Sequence, residues 1–213
     1  MDQPSADKIH YIRIPKGQGA RAEMVRMVYV LAGKPYVDVL WARGEATGAV
    51  TGKNPFKQFP VVETASGKHV YQALAIMHHA ARGTSAWPSD ADGLTDALSV
   101  AIGSYDLYQA FAEFPADDLV AKKKFEQRRA PQYMGGLGEI YAQRTFAAGE
   151  SPTFADCIAH EAISWCVRRN DASRAIFEAN AALGGFIERF RGIPAIRDFM
   201  ARQAAARERD DSV

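Results

Sequence analysis

Three short segments of the chain hold polar or conformationally special residues at spacings suited to binding an anion or activating a nucleophile. The first, Gly17-Gln-Gly19-Ala-Arg-Ala22, fits G-x-G-x-x-A between a strand and a helix, with Asp38 about 20 residues further on, the form of a dinucleotide fingerprint. Asp38 falls inside the next strand instead of at its end, and no further βαβ unit follows residue 83, so the segment reads as an ordinary turn. In the second, Asn54-Pro-Phe-Lys-Gln-Phe-Pro-Val-Val-Glu63, Phe59-Pro60 enters a strand where proline removes a ladder donor. Either Pro60 is an edge-strand proline, or the bond is cis and turns the Phe59 N–H and C=O toward a ligand. In the third, Tyr71-Gln-Ala-Leu-Ala-Ile76, Gln72 and Ala73 stand where a strand gives way to a helix, and free N–H groups there make an anion site.

Other pairings fail on spacing. His78 and His79 are adjacent on a helix and point to different faces, and His160-Glu161 lacks the second histidine of H-E-x-x-H, so no metal site is expected. Cys157 and His160 share a helix without an orienting third group, and Cys-x-x-Cys does not occur.

The elements that position these segments change character once, near Gly83. Residues 8 to 14 alternate as a buried strand, Ala22 to Ala32 recur at helical spacing until Gly33, and Tyr36 to Trp41 reads as a second strand. Phe59 to Glu63 and Lys68 to Tyr71 form a hairpin about Ser66-Gly67, followed by a helix from Gln72 to Arg82. The expected order is βαβαββα, a thioredoxin-like arrangement with a right-handed parallel crossover at its start. We expect this α/β domain over residues 1–83, a linker over 84–92 containing Trp87-Pro88, and an all-α helical domain over 93–213. In the latter, Leu94, Leu98, Ala101, Ile102 and Tyr105 mark one expected core stripe, and Thr153-Phe-Ala-Asp156 is a capping box opening a helix through Ile158, Ala162 and Trp165.

Composition narrows the function. With 213 residues and 47% hydrophobic content the chain builds a core without staples. A net charge of +1 gives no footprint for nucleic acid or an anionic membrane. No window approaches 18 consecutive apolar residues, and Met1 to His10 has no apolar run of the signal-peptide kind. Two cysteines nine residues apart on one helix do not bridge, which fits a reducing compartment, so a cytoplasmic protein is expected.

Taken in order, Lys8-Ile-His-Tyr11, Arg21-Ala-Glu-Met-Val-Arg26, Gln58-Phe-Pro-Val-Val-Glu63, Gln72-Ala-Leu-Ala-Ile76 and Pro152-Thr-Phe-Ala-Asp156 resemble the cytosolic glutathione transferases, specifically the tyrosine-type alpha, mu, pi and sigma classes. The resemblance spans nearly the whole chain. It implies that glutathione is the co-substrate, with no metal, and that a small hydrophobic electrophile is the second substrate, as in detoxification. Tyr11 looks like the catalytic tyrosine whose hydroxyl donates to the glutathione sulfur. A thiol of pKa about 8.5 is ~3% thiolate at pH 7, and lowering that pKa by ~2 units, about 2.7 kcal/mol, recovers most of the anion. Phe59 before Pro60 resembles the residue whose backbone pairs with the cysteinyl part, with Gln58 beside it. Gln72 and the Ala73 N–H resemble the holders of the γ-glutamyl carboxylate, and Asp106 the acid reaching the γ-glutamyl amine across a homodimer. Phe56 resembles the aromatic key inserted into a partner subunit. Lys53, Trp41 and Arg21 correspond to the glycyl-carboxylate contacts, and Tyr105, Tyr108, Gln109 and Phe111 to the substrate pocket.

Two departures stand out. Nine residues, Ile12 to Ala20, separate Tyr11 from the Arg21 run, more than those classes usually have, which leaves Lys16, Gln18 or an N–H of Gly17 or Gly19 as alternative donors. Ala73 stands where the family usually has Ser or Thr, so one hydroxyl contact to glutathione is missing. A glutathione-dependent isomerase or lyase, or a non-catalytic ligand-binding or scaffold protein, shares the same resemblance.

Overall fold

The computed structural model describes residues 6–14, 20–42, 45, 50, 52, 54–112 and 117–210, with side chains through 206. The described chain divides into two compact units, residues 1–86 with 194–213, and residues 87–193.

The first unit is built on a four-stranded sheet of order β2-β1-β3-β4. β1 (Asp7–Ile12) runs parallel to β2 (Tyr36–Trp41) and antiparallel to β3 (Val61–Glu63), which pairs with β4 (His69–Tyr71). β3 begins two residues later than the pattern predicts. The Phe59-Pro60 bond is cis, and Pro60 has no N–H to give the ladder, so Phe59 and Pro60 form the approach to the strand and not part of it. α1 (Arg21–Leu31) is buried continuously from Ala22 to Tyr29 and packs on α2 (Ala73–Ala81). It ends at Gly33, whose φ of +64° is a left-handed conformation that glycine adopts without penalty. The second helix of the βαβαββα order belongs between Ala42 and Phe59, where most positions from 43 to 53 lie outside the described residues.

Two part-buried ion clusters tie helix to sheet. Arg26, 8% exposed, donates from Nε to both carboxylate oxygens of Asp38 (2.8 and 3.0 Å) and from Nη1 to Glu23 (3.1 Å), so the acid of the apparent dinucleotide fingerprint serves as an internal counter-ion. At the opposite end of β1, Asp7 accepts from the Tyr29 hydroxyl (2.7 Å) and the Ala65 N–H (2.8 Å) and lies 3.1 Å from His79 Nε2. Burial pushes the Asp7 carboxyl up, but these partners outweigh it and hold it below the usual range.

The second unit is helical: α3 (Ala91–Ala112), α4 (Leu119–Lys124), a π-helical turn (Phe125–Arg129) leading into α5 (Ala130–Gln143), α6 (Phe154–Arg169), α7 (Asp171–Glu178) and α8 (Ala181–Gly192). α3 starts two residues inside the expected linker, because the Asp90 carboxylate accepts from the Gly93 N–H at 2.7 Å and caps the helix there. Its core stripe also departs from expectation. Ala97, Val100, Ala101, Ser104, Leu107 and Tyr108 are buried, whereas Leu98 and Ile102 are 40% and 50% exposed. α3 packs along α6, and close approach of two helices favours small residues such as Ala97, Ala101 and Ser104, which turns the bulkier leucine and isoleucine outward. α9 (Pro194–Asp210) was expected with the helical domain, but it packs on α1 and groups with the first unit, where Ile196 and Phe199 are buried.

The capping box at α6 forms as expected. Asp156, fully buried, accepts from the Thr153 N–H (2.7 Å) and hydroxyl (3.0 Å), from the Ala147 N–H (2.8 Å) and from the Tyr141 hydroxyl (3.1 Å). Both cysteines are free and buried. Among the described residues no helix is long and apolar enough to cross a membrane.

Candidate functional site

The strand register brings the three segments to one end of the sheet. His10 of β1 and Tyr71 of β4 both lie opposite Val61 of β3, so the next residues out, Tyr11, Pro60 and Gln72, gather at the same edge. Tyr11 is 7% exposed, and its ring meets that of Phe59 edge-on at 6.4 Å. Gln72 caps α2 with φ +67° and makes no side-chain capping bond, and Ala73 opens the helix. The first N–H groups of α2, which have no carbonyl within the helix to bond, therefore sit at the edge where Tyr11 and Phe59 lie.

Arg21 is the first residue of α1, at the end of the β1–α1 connection. Gln58 is exposed, Phe56 is 58% exposed, and Asp106 is exposed on α3. Tyr105 and Tyr108 stack at 6.3 Å, Tyr108 lies 5.4 Å from Trp165, and Phe111 lies 5.1 Å from Phe125, with Gln109 half-buried on the same helix. Lys53, and the alternative donors Lys16, Gly17, Gln18 and Gly19, lie outside the described residues. Among the described residues no group of three or more His, Cys, Asp or Glu side chains is arranged to hold a metal.

Trp41 ends β2 opposite Ile12, which puts it on the sheet face that His10 shares and Tyr11 does not. Its indole N–H donates to His10 Nδ1 at 3.3 Å. The donor that the resemblance assigns to a glycyl carboxylate thus serves His10. His10 is 4% exposed, and burial lowers its pKa while Glu63, 3.8 Å from Nε2, partly restores it.

One positioning residue has no counterpart in the sequence reading. Asn54 is 1% exposed; its Oδ1 accepts from the Phe56 N–H (2.8 Å) and its Nδ2 donates to the Gln58 carbonyl (2.6 Å). Both ends of the amide thereby fix the loop that delivers Phe56 and leads into Phe59-Pro60, and Lys57 within it takes φ +54°. The available signal was Asn-Pro before a strand, a turn-initiating pair whose side chain bonds its own backbone two residues on. Asn54→Ala is expected to cost about 2 kcal/mol in urea unfolding, two hydrogen bonds being lost from a buried site.

Residues 105–203 match the family model for the glutathione S-transferase C-terminal domain. No curated protein matches the chain in sequence. Among solved structures, a pi-class glutathione S-transferase from Onchocerca volvulus superposes with a TM-score of 0.80 at 17% identity, over 95% of each chain. A glutathione S-transferase from the hookworm Necator americanus, described as monomeric, gives 0.76 at 21% identity over 93% of this chain and 97% of its own. Prostaglandin synthase D of Nilaparvata lugens gives 0.76 at 16% identity over 92% and 98%. Residues 105–203 thus carry the glutathione S-transferase C-terminal domain, and the chain around them has the fold of the glutathione S-transferases on which it superposes over more than 90% of its length.

Proposed function

We propose that the protein is a cytoplasmic, tyrosine-type glutathione transferase that activates the glutathione thiolate for attack on a small hydrophobic electrophile. The observation that carries this reading is the convergence of Tyr11, the cis Phe59-Pro60 approach and the Gln72-Ala73 helix start on one sheet edge. In the proposed arrangement the γ-glutamyl carboxylate lies at the α2 N-terminus against the Ala73 N–H and Gln72. The backbone of Phe59 pairs with the cysteinyl unit beside Gln58, and the Tyr11 hydroxyl donates to the sulfur. Arg21 and Lys53 answer the glycyl carboxylate, and Tyr105, Tyr108, Gln109 and Phe111 receive the electrophile. A homodimer would use Phe56 as its key and bring Asp106 to the γ-glutamyl amine. Residues 1–83 would hold glutathione and residues 93–213 shape the second substrate's site.

Calorimetric titration with glutathione tests this directly: sub-millimolar binding is expected, and binding no tighter than several millimolar would favour a scaffold role. Ala73→Ser restores the hydroxyl that related proteins use, and is expected to tighten glutathione roughly two- to twelvefold, the range one hydrogen bond supplies. A second reading, a pathway enzyme that returns its glutathione, draws on the fold shared with a prostaglandin synthase. Product formed without net glutathione consumption would favour it.

A further inference from the structure

A cavity of about 150 Å³ opens among α6, α7 and α8, within the helical unit and on residues that have no part in the glutathione reading. Its walls are apolar: Ile163 and Val167 from α6, Phe177 from α7 and Ile187 from α8. Two guanidiniums, Arg168 and Arg191, complete the lining together with Ser164.

The charge there is unbalanced. Arg168 donates to Glu161 at 3.0 Å, which accounts for the adjacent carboxylate. Arg191 has no carboxylate partner within ion-pair distance among the described residues. Its Nε donates to His160 Nε2 at 3.0 Å, and its Nη2 reaches the Ser164 hydroxyl at 3.4 Å. His160 is 2% exposed and its Nδ1 has no partner, so the imidazole is a neutral acceptor fixed by burial. That bond holds the Arg191 guanidinium over the cavity without neutralising it. Arg191 and Arg168 both reach solvent, but the partial burial of the Arg191 guanidinium and the neighbouring Arg168 press against its charge, and Glu161 offsets them only in part. An anion placed between the two guanidiniums would relieve this.

We propose that this cavity binds a small organic carboxylate, its apolar body among Ile163, Val167, Phe177 and Ile187 and its carboxylate held by Arg191 and Arg168. The dimensions select the ligand. A dry cavity of about 150 Å³ holds one benzene ring, so a single ring or a short branched chain fills it. The planar fork of arginine matches a carboxylate in a way that a lone hydroxyl or a bare spherical anion does not. Apolar walls around a few fixed polar groups are the usual construction of a small-molecule site.

The test uses the full chain and benzoate as probe, followed by calorimetry or by protein NMR shifts at residues of α6 to α8. Saturable benzoate binding is expected, with acetate, inorganic phosphate and benzyl alcohol each at least roughly tenfold weaker, because each lacks either the ring or the carboxylate. Arg191→Gln should weaken benzoate roughly tenfold through loss of a charge-assisted contact. Val167→Phe, which fills the apolar end and leaves both guanidiniums in place, should abolish binding and keeps the test decisive where Arg191→Gln does not fold. Glutathione affinity should be unchanged in both variants, so this site and the glutathione site fail or stand separately. Benzoate binding no tighter than acetate or phosphate, or unaltered by Val167→Phe, overturns the proposal.

Discussion

Tyr11→Phe is expected to lower kcat/KM for glutathione conjugation at pH 7 roughly 25-fold, the fall in bound thiolate from most of the thiol to ~3%, with glutathione affinity and the unfolding midpoint little changed. The expectation follows from what the hydroxyl is proposed to do. A donor aimed at sulfur stabilises thiolate over thiol, and ~2 units of thiol pKa correspond to about 2.7 kcal/mol. The ring itself sits at the end of β1 edge-on to Phe59, a contact that phenylalanine preserves. The rate–pH profile of the variant should move about 2 units toward alkaline pH, because the unassisted thiol ionises only there. A variant with an unshifted profile and full activity would place the sulfur's donor elsewhere, in the Ile12 to Ala20 connection or at a backbone N–H.

Asp156→Ala is expected to destabilise the protein by roughly 3 kcal/mol or more, since it strips acceptors from the Ala147 N–H, the Thr153 N–H and hydroxyl and the Tyr141 hydroxyl and removes the α6 cap. The same carboxylate gives a test by pH. Burial lifts Asp156 from 3.8 to about 6 against the pull of those four donors. The folded protein therefore keeps a proton that the unfolded chain releases, and this contribution to stability, full below about pH 4, is lost as pH rises through 6. His160 has the opposite sign. Burial first, then Arg191 and Arg168, lower it from 6.5 to about 3, so its contribution is full above 6.5 and is lost as pH falls toward 3. Between pH 4 and 6 the two slopes, each about 1.4 kcal/mol per pH unit, oppose one another. Relative to the wild type, Asp156→Asn should lose stability more steeply on acidification from pH 6 to 4, and His160→Gln less steeply. Urea unfolding midpoints across that range check both, and variant offsets that do not change with pH would contradict the assignment.

These two residues mark how far the sequence was legible. The capping box was readable from Thr153 and Asp156 because a cap is a local device with fixed spacing. Tyr36 to Trp41 was readable as a strand for the same reason, and the order of the hairpin and of the helix after Gln72 followed from turn chemistry. What depended on distant partners was not legible. The fingerprint at Gly17 and Asp38 was formally intact, and only the Arg26 ion pair shows where the acid is used. Leu98 and Ile102 obeyed helical periodicity as well as the buried stripe did, and the choice of face was made by the close packing of α3 on α6. The last helix carries the same apolar pattern as its predecessors, and its packing on α1 is a tertiary fact. Within the proposed site, the ordered resemblance to a family named Tyr11, Phe59, Pro60, Gln72 and Ala73, and the strand register brings these residues to one end of the sheet. Asn54 was not legible, because it bonds its own loop, and strand parity alone does not reveal that the Trp41 indole N–H donates to His10.

The most direct measurement is the ionisation of enzyme-bound glutathione, followed by the ultraviolet absorbance of the thiolate as pH is raised, in wild type and in Tyr11→Phe. Thiolate activation by Tyr11 predicts a bound thiol titrating about 2 units below its free value of about 8.5 in the wild type, and near that free value in the variant. A bound thiol that titrates like free glutathione in the wild type, or equally low in both proteins, would contradict it.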